Sequence, residues 1–396
     1  MRSGVRTEAA ATAAPPSRLG QLSELWVVRA LLGSALVSTL LAAGVVGIYE
    51  TGAPATKTVV MIFLINLLVV VGLQVFTGNS GVVSFGHVAF MGIGAYVTAL
   101  MSTNPSTKRT QIPDAPGFVL DANLGFLPST LVAIAVTCAI ALPIGFIFAR
   151  LSGAAAAIVT LSWLVIVFTV IANWDTVTNG TFTFYGIDPH TTVWWGLGWA
   201  IVAITIARLF RESGLGLALR ATSADELVAR AIGVNLLRAR LAAWVLSAGM
   251  AAVGGVLYAH FILALAPTSF WFELTFLLLV MAIVGGRSVS GAVLGAAVIS
   301  VLAEVLRRGE NATGRFGLST VVLAAIFLTM MLIRSEGLLG RWELDELATR
   351  GLRTLRVRGS AEGTAPAALE RQPALETSRA QDDLAEETLT ERRSHA

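Results

Sequence analysis

Long apolar runs recur so regularly between Trp26 and Ile333 that they decide which solvent this chain folds in. The runs 26–48, 58–77, 83–101, 126–148, 153–173, 193–209, 241–263, 270–286, 290–306 and 318–333 lie close to the length, roughly 20 residues, of a helix that crosses a bilayer. Lipid offers no hydrogen bonds, so a spanning segment must satisfy its own backbone and folds as a helix. The prediction is an all-α integral membrane protein with about ten transmembrane or re-entrant helices. Composition agrees: 55% of the 396 residues are hydrophobic, 13% are charged and mean hydropathy is +0.74, far more apolar than a soluble domain.

Polar segments set boundaries and orientation. Residues 1–25 carry Arg2, Arg6 and Arg18 among Ala, Thr and Pro and lack apolar periodicity, which reads as a disordered cytoplasmic leader. The run that follows is too long for a cleavable signal peptide, so the first helix starts inside. The membrane domain is expected over 26–334, and the Glu-, Arg- and Ala-rich stretch 335–396 is expected to be a disordered cytoplasmic tail. Counting crossings from an internal N-terminus puts Arg150, the 211–240 loop, Arg287 and the 334–341 region inside. The loop 174–192, which has no Lys or Arg, falls outside. Arg307, Arg308 and Arg315 fall outside against that trend. Both termini are thus expected in the cytoplasm.

The one long polar interruption between the apolar halves is 211–240. Ser223 to Glu226 has the spacing of a capping box and Gly233 suits a helix C-terminus, so a helix over about 224–232 is expected. Leu227, Val228, Ala231 and Ile232 share one face of it, with Asp225, Glu226 and Arg230 largely on the other. Such a helix either lies on the bilayer surface or docks into a groove of a cytoplasmic partner.

Two membrane stretches are interrupted by small residues. One contains Gly78, Asn79, Ser80, Ser84, Gly86 and His87; the other contains Gly285, Gly286 and Ser288. Broken helices at corresponding places point to a transport path, because free backbone groups at membrane depth need a cavity or burial in protein. Close helix packing through small residues is the alternative. Ionisable groups inside the runs are few: His87 and Glu304, with Arg150, Asp175 and Glu273 nearer the ends. Glu304 precedes Arg307 and Arg308 at helical spacing, which predicts a salt bridge, and His87 suits a hydrogen-bonded core position as well as a functional one.

Several functions are excluded or disfavoured. Lys57 and Lys108 are the only lysines and follow Thr56 and Thr107, so the chain has no P-loop of its own. His87, His190, His260 and His395 are scattered and Cys138 stands alone, so neither a metal site nor a disulfide is expected. No catalytic cluster, no cofactor motif and no basic stripe for nucleic acid is found. A proton- or sodium-driven carrier would need more buried carboxylates than this.

The stretch Gly78–Leu100, the run LSGAAAAIVTLSWLVIVFTVIANW, the loop GLGLALRATSADELVARAIGVN followed by RARLAAWVLSAGMAAVGGVLYAH, and PTSFWFELTFLLLVMAIVGGRSVSGAVLGAAV resemble the permease subunit of branched-chain amino acid (LIV-type) ABC importers. The likeness spans about 60–340 and departs from the family at Arg287, Ser288, Ser335 and the external stretch TFTFYGID. It implies a prokaryotic plasma-membrane permease that is not itself an enzyme. The implied partners are a second homologous permease, two cytoplasmic ATP-binding subunits and an external solute-binding protein. In that family the helix around Asp225–Gly233 couples to the ATPase, which favours docking over a bilayer-surface role. Urea and short-amide importers use similar permeases, and a secondary solute transporter is the alternative from another class. The scarcity of fixed charge beside the glycine breaks predicts a path for zwitterionic or neutral solutes.

Overall fold

The computed structural model describes residues 26–314, 317–333, 337–340 and 342–344. The leader 1–25, the tail 345–396, and Arg315, Arg334, Ser335 and Arg341 lie outside the described residues. Fifteen α-helices are described: α1 (Trp26–Thr51), α2 (Pro54–Leu73), α3 (His87–Ser102), α4 (Pro105–Gln111), α5 (Gly117–Leu120), α6 (Phe126–Phe148), α7 (Gly153–Asn173), α8 (Asp175–Thr178), α9 (Val193–Glu212), α10 (Gly214–Ala224), α11 (Glu226–Ala231), α12 (Leu236–Ile262), α13 (Phe272–Gly285), α14 (Val289–Thr313) and α15 (Leu318–Ile333). Eight helical segments among the described residues are long and apolar enough to cross a membrane, and α3 is a shorter apolar helix. The expected all-α membrane architecture is the one found. Its only described strands are the two-residue pair β1 (Phe184–Tyr185) and β2 (Ala264–Leu265), joined antiparallel with Phe184 opposite Leu265.

α12 is the axis of the body, packed against α2, α3 and α6. Small residues bring these backbones close. A methyl group on Gly72 would stand 2.9 Å from the Ser247 carbonyl, one on Gly94 would stand 2.6 Å from Ala252 Cα, and one on Gly255 would overlap the Met91 carbonyl. In lipid this close approach, rather than the hydrophobic effect, supplies most of the attraction between helices. At the edge, α1 buries only the stripe Ala30, Gly33, Ser34, Val37, Ser38, Leu41 and Val45, the pattern of a helix with one face on protein.

The connection between α3 and α6 is folded around a charge. Lys108 is fully buried, and its Nζ donates to the carbonyls of Leu100 at 2.9 Å, Val119 at 2.5 Å and Ala122 at 2.5 Å. Burial pushes the ammonium down to about 8, with the Asp121 charge pulling it back up. At the end of α14 the expected ion pairs form: Arg307 and Arg308 reach Glu304 at 2.7 and 2.6 Å.

The compact unit runs to Leu344, ten residues past the boundary expected from the sequence. Leu338 N–H donates to the Val284 carbonyl at 2.8 Å, Leu339 N–H to Gly285 at 3.3 Å, and Arg287 N–H to Gly340 at 2.8 Å. Gly337 presses on Gly286, with φ +76°, where no side chain would fit. Leu338 and Leu339 therefore cap the otherwise orphaned carbonyl end of α13, so this part of the expected tail belongs to the membrane body.

Candidate functional site

The polar interruption holds two helices rather than one. α9 continues to Glu212, and the Ser213 hydroxyl accepts from Gly216 N–H at 3.3 Å to start α10. Leu219 on α10 is fully buried and α10 packs on α12. Sequence reasoning missed this helix because Gly214 and Gly216 look like loop residues; Gly216 is required there, since a methyl group would overlap the Phe210 carbonyl.

The cap of the next helix also differs from expectation. Ser223 is not the N-cap, because its hydroxyl donates back to the Arg220 carbonyl at 2.9 Å. Asp225 is the cap, its Oδ1 accepting from Leu227 N–H at 2.9 Å and Val228 N–H at 3.0 Å. The adjacent aspartate reaches the N-terminal amides with its own charge, which outcompetes a neutral hydroxyl two residues earlier. Glu226 bonds sideways instead, to Arg230 at 2.7 Å and Arg240 at 3.0 Å. At the far end Gly233 adopts φ +86°, and its N–H reaches the Arg230 carbonyl while Val234 N–H reaches Ala229. This is a Schellman ending.

Fixed at both ends, α11 presents its apolar face outward. Leu227 is 80% exposed, Ile232 72% and Val228 57%; Ala231 is exposed and only Ala229 points inward. Beside this helix lies an open hollow of about 540 Å³ bounded by Ala149, Arg150, Arg230 and Gly233–Leu237. Arg240 secures the base of the hollow, donating to the Ala149 and Leu151 carbonyls at 3.3 and 3.0 Å.

The first break starts as a π-turn at Gln74–Gly78 on the end of α2 and runs to Gly86, with Gly81 at φ +73°. Asn79 Nδ2 donates to the Val75 carbonyl at 2.9 Å, and the Ser80 hydroxyl accepts from Val82 N–H at 3.1 Å. His87 lies between the Ser84 hydroxyl on Nδ1 and the Ser247 hydroxyl on Nε2, both at 2.9 Å, ringed by Phe76, Phe90 and Trp244. Gly86 lets the break rest on α7, where a methyl group would stand 2.9 Å from the Thr160 carbonyl. Among the described residues no partner reaches the buried atoms Gln74 Nε2, Thr77 Oγ1 and Asn79 Oδ1. Gln74 and Thr77 were not singled out in the sequence, since a lone amide and hydroxyl in an apolar run carry no periodic signal.

The second break is the α13–α14 turn. Gly286 takes φ +99°, the Ser288 hydroxyl accepts from Gly291 N–H at 3.0 Å, and Gly285, Gly291 and Gly295 bring the two helices into backbone contact. Close packing accounts for these glycines. The breaks meet at one residue: Arg287 Nε donates to the Gly78 carbonyl at 3.2 Å, and its Nη2 donates to the Ser223 hydroxyl at 2.7 Å. Gly78, Asn79, Ser80, Ser84, Gly86 and His87 thus form one group. Gly285, Gly286 and Ser288 join it through Arg287, directly behind the loop that carries α11.

Helices long and apolar enough to cross a membrane, two broken segments joined through Arg287, and a capped helix with an outward apolar face are the features of a transporter-type membrane permease. The sequence comparisons are specific. A family model described as the branched-chain amino acid transport system / permease component matches residues 55–334, and the chain belongs to that family. Its relatives include the high-affinity branched-chain amino acid transport system permease protein LivM of Salmonella typhimurium, 28% identical over 73% of this chain and 70% of the relative. LivM of Escherichia coli is 27% identical over 72% of this chain and 70% of the relative. LivH of Salmonella typhimurium, the permease protein of the same printed description, is 32% identical over 37% of this chain and 46% of the relative. No solved structure matches the chain.

Proposed function

We propose that the chain is the membrane permease subunit of a prokaryotic ABC importer for branched-chain amino acids. It pairs with a second, homologous permease, receives solute from an external binding protein, and is driven by two ATP-binding subunits on the cytoplasmic side, where both termini lie. The observation that carries this reading is the outward apolar face of α11, where Leu227, Val228 and Ile232 are held 57–80% exposed between caps at both ends. A helix laid into a partner groove buries such a face. A gradient-driven carrier leaves it without a role.

The substrate class follows from the break. Gln74, Thr77 and Asn79 offer amide and hydroxyl groups without a formal charge, and the ionisable groups beside them are committed, His87 to two serines and Arg287 to Gly78 and Ser223. A zwitterion with an apolar side chain needs dipoles for its head groups and no counter-charge, whereas a net charge taken from water would stay uncompensated. Radiolabelled uptake by the reconstituted complex tests this: leucine and valine are expected to enter and arginine to be excluded. Urea entering while leucine is excluded would transfer the assignment to the short-amide branch.

A further inference from the structure

We propose that the described residues Gly337–Gly340 and Trp342–Leu344 form a strap that ties the root of the docking loop to the second glycine break, with Glu343 as the positioning residue at its knot. The idea rests on the reading above, that an ATPase docks at α11. The Glu343 carboxylate is fully buried and divided between two elements. On one side Oε2 meets Arg208 Nη1 at 3.1 Å and Oε1 meets Arg211 Nε at 3.0 Å, both on the last turns of α9 before the loop begins. On the other side Oε1 accepts from Val289 N–H at 2.9 Å, and Oε2 accepts from Ser290 N–H at 3.0 Å and from the Ser290 hydroxyl at 2.5 Å. Those donors are the first residues of α14, where a helix favours an anion.

The carboxylate is therefore the bond between α9 and α14, and it comes from neither helix. Arg211 adds a second link, Nη1 to the Arg287 carbonyl at 2.8 Å, and Arg220 on α10 donates to the Arg211 carbonyl at 3.1 Å. Gly33 on α1 leaves the space that the Arg208 guanidinium fills. Two buried guanidinium groups around one buried carboxylate cost desolvation that apolar packing would avoid, so the cluster is poor value as a stabiliser alone. Its geometry suits transmission: a displacement of α10–α11 moves Arg211, and Arg211 is tied to the α13–α14 turn through Glu343 and the Arg287 carbonyl. Such a two-sided contact is the physical link that coupling between distant sites requires.

The test uses the full complex in proteoliposomes and reads leucine uptake per ATP hydrolysed. Glu343→Gln keeps the size and the acceptor oxygen but removes the charge that holds Arg208 and Arg211. It is expected to retain bound ATPase and basal hydrolysis while uptake per ATP falls by about threefold to thirtyfold, and Glu343→Asp is expected to recover part of the loss. Uptake per ATP unchanged in Glu343→Gln overturns the proposal. Should that variant not assemble, Ser290→Ala removes one bond to the same oxygen and leaves the charges. It is expected to lower the ratio by about twofold or more, and an unchanged ratio there also overturns the strap. A wild-type complex that never retains an ATPase refutes the docking reading and the strap with it, whereas a coupled wild type with an equally coupled Glu343→Gln refutes the strap alone.

Discussion

Placing a carboxylate on α11 separates docking from folding, because the chain itself does not bury the face concerned. Leu227 is 80% exposed and Ile232 72% exposed in the isolated chain, so Leu227→Asp or Ile232→Asp is expected to change the stability of the membrane body by no more than about 0.5 kcal/mol. At a docking contact the same change removes burial of a large aliphatic side chain, about 1.5–3 kcal/mol. It also forces an unpaired carboxylate to lose water, a further cost of roughly 1–3 kcal/mol. Together these weaken ATPase binding by about 10² to 10⁴, at 1.4 kcal/mol per factor of ten. Ala229→Asp supplies the contrast, since Ala229 is 2% exposed and that variant should fail in the body itself. The assay is co-purification of the ATPase with the detergent-solubilised chain, followed by substrate-stimulated hydrolysis. Wild-type retention and wild-type stimulation in both Leu227→Asp and Ile232→Asp would refute the docking assignment.

Topology is checked by single cysteines in a Cys138→Ala background: Thr181→Cys and Ala231→Cys, both at exposed positions, should react with a membrane-impermeant thiol reagent from opposite sides, and labelling of Ala231→Cys in intact cells would reverse the orientation. Close packing along α12 predicts that Gly255→Ala, whose new methyl overlaps the Met91 carbonyl, lowers Tm by an amount equivalent to about 1–3 kcal/mol, whereas Gly44→Ala, with nothing within 4 Å, leaves it unchanged; equal Tm in the two would contradict this packing. Burial acts to raise the Glu343 carboxyl, but the charges of Arg211 and Arg208 and the bonds from Ser290 outweigh it and hold it below its ordinary value of 4.5. A depressed folded pKa contributes stability that is complete above the ordinary value and lost as pH falls through the folded one. The Tm gap between wild type and Glu343→Gln is therefore expected to persist near neutral pH and to narrow only below about pH 4.5, and a gap constant down to about pH 3 would contradict the linkage.

Membrane spans were legible because their signal is additive along a run: α1, α6, α7 and α9 begin within a residue or two of the expected positions. The outward face of α11 was legible for a similar reason, since Leu227, Val228, Ala231 and Ile232 follow the helical period. Its cap was misplaced because Ser223 and Asp225 both precede an apolar run, and only three-dimensional context turns the serine back toward Arg220. α10 was hidden by the glycines that let it pack. The Arg208–Glu343–Arg211 cluster had no local signature: Glu343 lies more than 130 residues from either arginine, in a polar stretch that resembles the start of a solvated tail. Composition therefore assigned it to a solvated tail, while its bonds hold it inside the body.

The source of energy for transport tests the central claim most directly. Proteoliposomes containing the complete complex, loaded with labelled leucine and binding protein on the external side, are given ATP on the cytoplasmic side with every ion gradient collapsed. Leucine accumulation that requires ATP hydrolysis and is abolished by Leu227→Asp is the predicted result. Accumulation driven by a proton or sodium gradient without ATP, by this chain alone, would contradict it.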